Sequence, residues 1–96
     1  LEIARALATR VLGERKADTA RMSRLFELVA SRTPSGAERK AVNELLAQMK
    51  QRYSAAPADA VALMKAEKPS DGVVEQAAWM QVAATVLASD LAILVY

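Results

Sequence analysis

The chain has 96 residues, 53% of them apolar, and contains neither cysteine nor histidine. That composition excludes a disulfide framework, a zinc site of the usual Cys/His kind, a thiol nucleophile and the commonest general base. Ninety-six residues fit one small core, and a net charge of +2 leaves no strong overall field, although residues 1–53 carry 11 Lys/Arg against 6 Asp/Glu while residues 54–96 carry 2 against 5.

Apolar residues recur at intervals of three and four, with no two-residue alternation bounded by hairpin turns, so the fold class is all-α. The first helix is expected over about 2–12, with Ile3, Leu7 and Val11 on one face and Gly13 supplying a left-handed stop. A second is expected over 18–32, capped by Asp18 or Thr19, with Met22, Leu25, Phe26 and Val29 facing inward. Its end is set by Pro34, which disfavours helical geometry in Thr33.

Ser35-Gly36-Ala37-Glu38 is the best local signal, because a serine cap and a glutamate three residues later can satisfy each other's backbone amides. It starts a third helix over 35–53 with the stripe Val42, Leu45, Leu46, Met49 and Tyr53. Pro57 suits the first turn of a short fourth helix, 57–65, anchored by Val61 and Met64. Residues 67–72 read as a surface loop, and the last helix follows over 74–94. The whole is a single compact bundle of four to five amphipathic helices, without internal repeats or linkers.

The last helix is apolar enough to be weighed as a membrane span. Trp79, Val82, Ala83, Val86, Ile93 and Leu94 share one face, Gln81, Thr85 and Ser89 form a polar stripe, and Asp90 falls on the apolar face. A carboxylate near mid-span costs about 2.5–3.5 kcal/mol, so a core helix is the better reading. Trp79 could be a platform for stacking a ligand, but beside Val82 and Val86 it reads as core. Asp90, sent inward, needs a partner: free backbone amides near Ser35, or the guanidinium of Arg32 or Arg5.

Nucleic-acid binding is not expected, because Arg5, Arg10, Arg15, Lys16, Arg21 and Arg24 are interleaved with Glu2, Glu14, Asp18 and Glu27. Pairs such as Arg10–Glu14 and Lys40–Glu44 have the spacing of exposed helix decoration. No catalytic, cofactor or metal constellation stands out. Glu38, Glu44, Glu75 and Asp90 are single acids at unrelated spacing. The chain opens on Leu1-Glu2-Ile3-Ala4-Arg5, already in an amphipathic pattern and with no signal peptide, and is therefore expected to be a piece of a larger protein.

The order of short motifs carries a resemblance. Ala4-Arg5-Ala6-Leu7-Ala8, Arg24-Leu25-Phe26, Arg32-Thr33-Pro34-Ser35 with Glu38, and Ala78-Trp79 followed by Val82-Ala83 and Val86-Leu87 resemble the C-terminal end of the planctomycete PSD-type domain, a domain of unknown function. Proteins of that family often carry a planctomycete cytochrome c module upstream. Their final helix tends to continue as Leu-Leu-Asn-x-Asp/Asn-Glu-Phe. Here Val86-Leu87-Ala88-Ser89-Asp90-Leu91-Ala92 lacks the Asn, Glu and Phe, leaving Asp90 as the one acid. The resemblance implies a large exported, extracytoplasmic parent of which this segment is a helical subdomain. The haem-binding Cys-x-x-Cys-His is absent from these residues, so no cofactor is expected in them.

Three functions are then open. The first is a non-catalytic structural or interaction module, packed through the last helix on the rest of the parent or on a second copy as a homodimer. The apolar run Leu91-Ala92-Ile93-Leu94-Val95-Tyr96 favours it. The second is a subdomain completing an enzyme or ligand site formed mainly upstream. A weakly basic nucleic-acid-binding domain is the third.

Overall fold

The computed structural model describes the backbone of residues 2–95 and the side chains of residues 2–89. Five helices follow one another: α1 (Glu2–Glu14), α2 (Asp18–Ala30), α3 (Gly36–Ala55), α4 (Pro57–Met64) and α5 (Asp71–Val95). The all-α expectation is borne out, and no helix among the described residues is long and apolar enough to cross a membrane. The Cα radius of gyration, 12.9 Å, is close to the ~12.5 Å of a compact chain this long.

α5 is the spine of the bundle, packed against each of the other four helices. Its residues Ala77, Ala78, Trp79 and Met80 are successive and all buried, so at that level the helix is enclosed all round rather than along one face. Val82, Ala83 and Val86 continue the burial on one side. α2 supplies Met22, Leu25 and Phe26 to the same core, and α3 supplies Val42 and Leu46. A smaller cluster of Tyr53, Ala60 and Ala77 closes the end where α4 packs on α5.

α1 differs from its expected face. Ala4, Ala8 and Val11 are buried, whereas Ile3 is 68% exposed and Leu7 only half-buried. The reason is steric: small residues at i and i+4 let α1 lie close against α5, and that contact outweighs the larger side chains of the neighbouring stripe. α4 shows the same preference, burying Ala60 completely while its expected anchors Val61 and Met64 stay half-buried.

Several boundaries move for local reasons. Gly13 does not end α1. It has no positive φ, and the helical bonding runs on through the Arg15 N–H to the Val11 carbonyl at 3.1 Å. α2 stops two residues before the expected Arg32, because Ser31 adopts the left-handed conformation (φ 57°) and donates its N–H to the Glu27 carbonyl. Its cap position is Ala17, with no side-chain cap, so Asp18 and Thr19 are first-turn residues instead. α4 ends at Met64 on Lys65, also left-handed (φ 54°). There Arg5 of α1 donates to the carbonyl of Leu63 at 3.3 Å, satisfying a group that a helix end leaves open. α5 begins at Asp71 rather than Val74, because the Ser70 hydroxyl accepts from the Val73 N–H at 3.1 Å.

Candidate functional site

Two polar constellations flank α5, one toward each end. The first gathers around Asp18. As an acid in the first turn of α2 it sits where the helix dipole favours negative charge. Lys50 of α3 donates to its Oδ2 at 2.6 Å, and Arg21 donates to its Oδ1 at 3.2 Å. The same Arg21 Nη1 reaches Glu75 of α5 at 2.7 Å, and its Nε donates to the Arg15 carbonyl at 2.8 Å. One guanidinium with a side chain only 12% exposed therefore ties the α1–α2 connection, α2 and α5 together, and the carboxylate beside it adds α3.

Burial by itself would raise the Asp18 carboxyl. The Lys50 ammonium first and Arg21 second together outweigh it and hold the group below the usual range. The indole N–H of Trp79 adds the weakest pull. Trp79 Nε1 nevertheless closes no hydrogen bond of ordinary geometry and is left as a buried donor. Arg5 Nε is the other such donor among the described residues.

The second constellation lies at the α2–α3 junction. Ser35 has an extended backbone (φ −70°, ψ 168°) and its hydroxyl accepts from the Glu38 N–H at 3.2 Å, while Glu38 Oε1 accepts from the Ser35 N–H at 2.8 Å. The capping box read from the sequence is therefore formed in full. Arg32 then grips the same carboxylate with both Nη atoms, at 2.6 and 2.8 Å, and its Cζ stands 5.5 Å from the centroid of the Phe26 ring. The Arg32 guanidinium first, and the Ser35 amide second, bring the Glu38 carboxyl down to about 2.

Beside this junction runs a half-open groove of about 160 Å³ between α2, α3 and α5. Phe26, Ala41, Val42, Leu45 and Val86 line it with apolar atoms, and Glu38, Thr85 and Ser89 stand along it. Neither hydroxyl offers its proton to the groove. Thr85 donates to the Gln81 carbonyl at 2.9 Å and Ser89 to the Thr85 carbonyl at 3.0 Å. The third member of that stripe, Gln81, donates to the Tyr53 hydroxyl at 3.0 Å, so one end of the polar stripe serves to seat α3 on α5.

The structure thus brings together Arg32, Ser35 and Glu38 of the residues singled out in the sequence. Trp79 stands apart in the core, fully buried, as expected of a packing residue. The side chains of Asp90 and of residues 91–96, and with them the expected pairing of Asp90 with its candidate partners and the expected apolar tail contact, lie outside the described residues. Arg5, one of those partners, is engaged with Leu63 and with Glu2 at 3.8 Å. Glu44 and Lys40 form no ion pair with each other among the described residues, unlike Arg10 and Glu14, which meet at 3.0 Å.

What sequence reading missed are contacts far apart along the chain: Asp18 with Lys50, Arg21 with Glu75, and the groove itself. A first-turn acid with no matching i,i+4 base was the available sign for Asp18. Two of the surface arginines, Arg10 and Arg24, are paired with acids. Glu14 holds both Arg10 and Arg24, and Arg24 also binds Glu27 at 2.7 Å. The Arg24 guanidinium lowers the Glu14 carboxyl and is itself raised by it. Among the described residues no group of three or more acids could hold a metal ion. Comparison with models of known families, with curated proteins and with solved structures finds no match.

Proposed function

We propose that the chain is a non-catalytic helical module that works by packing, with the C-terminal half of its last helix as the contact element. The observation that carries this reading is the groove beside α5, apolar along its floor and, among the described residues, with its one carboxylate already gripped by Arg32 and Ser35. Such a surface offers shape and apolar area to a partner rather than a reactive group. The sequence runs on into six apolar residues, 91–96, a composition that favours the same reading.

In a larger parent the complementary surface is a neighbouring domain, and in the isolated chain it is a second copy. The resemblance to the planctomycete PSD-type domain supports a large, exported parent for this segment. Sedimentation velocity on the 96-residue chain tests the packing reading. A dimer at micromolar concentration is expected, and a monomer persisting to several hundred micromolar would overturn it. Titration with duplex DNA is expected to leave the sedimentation profile unchanged, and a salt-dependent shift would favour nucleic-acid binding instead.

A further inference from the structure

We draw no further inference here: the strongest candidate, the half-open apolar groove between α2, α3 and α5 floored by Phe26, Val42, Leu45 and Val86, belongs to the site already described, and nothing in the structure shows which surface or ligand covers it.

Discussion

The two halves of α5 are held in different ways. Around Trp79 the helix is enclosed on all sides, and its surroundings are tied together by Asp18, Arg21, Lys50 and Glu75, residues of three helices far apart in sequence. Around Val86 the burial is one-sided, and among the described residues an ion pair nearby links Arg32 to Glu38 only six residues on. Long-range charge pairs fix how helices sit on one another, whereas a capping box fixes where one helix begins. The first half of α5 therefore reads as the stability centre, and the proposed packing role assigns contact with a partner to the second.

Truncating the centre gives the largest effect. Trp79→Ala is expected to cost about 3–5 kcal/mol, which in a bundle this small removes the cooperative unfolding transition in a urea titration. An unchanged midpoint would show that Trp79 is not where the stability resides. Overpacking the close α1–α5 contact comes next. Ala8→Leu is expected to lose about 1–3 kcal/mol, whereas Ile3→Ala stays within about 0.5 kcal/mol of wild type. The reverse order would restore the α1 face that the periodicity suggests.

The charge ties are smaller and depend on salt. Arg21→Met takes from Glu75 its guanidinium contact and from Asp18 one of its two cations, Lys50 remaining, and is expected to lower stability by about 1–2 kcal/mol at low ionic strength. Removing the cap is smaller again. Ser35→Ala is expected to cost about 1 kcal/mol and Ser35→Gly only a few tenths, both read by chemical denaturation. If Ser70→Ala costs nothing, the hydroxyl contact at the start of α5 is not a functioning cap.

The acid limb of stability draws on both ends. Glu38, held at about 2 in the fold, rises to about 4.3 when the chain unfolds. A carboxyl depressed in this way contributes stability that is complete above the unfolded value and is lost as pH falls through the folded one. Wild type should therefore lose stability between about pH 5 and pH 2, and Glu38→Gln should flatten that part of the profile. Asp18 and Glu14, also lowered, keep a residual slope in that variant, which Asp18→Asn added to Glu38→Gln should reduce further.

What could be read from the sequence follows the range of the interactions. The Ser35–Glu38 box was legible because both partners lie within four residues, and the inward faces of α2 and α3 because they repeat with the helical period. The face of α1 was not, since periodicity weighs Ile3 and Leu7 above alanines, while close helix contact selects Ala4 and Ala8. The end of α2 was misplaced because Pro34 signals a boundary but not the left-handed turn at Ser31 that makes it. The start of α5 was missed because Ser70 caps without the glutamate that completes a box. Of the candidate site, Arg32, Ser35 and Glu38 were named in advance. The groove they border needed Phe26, Leu45 and Val86 to be placed side by side from three helices, which no local pattern encodes.

The division between the two halves of α5 is tested most directly by sedimentation velocity on Leu45→Glu beside wild type, at a concentration where wild type associates. Leu45 is half-buried at the groove, on the edge of the core rather than within it, so a charge there is expected to yield a monomer while the bundle remains folded. A folded Leu45→Glu chain that associates as strongly as wild type would contradict the assignment of that face to packing.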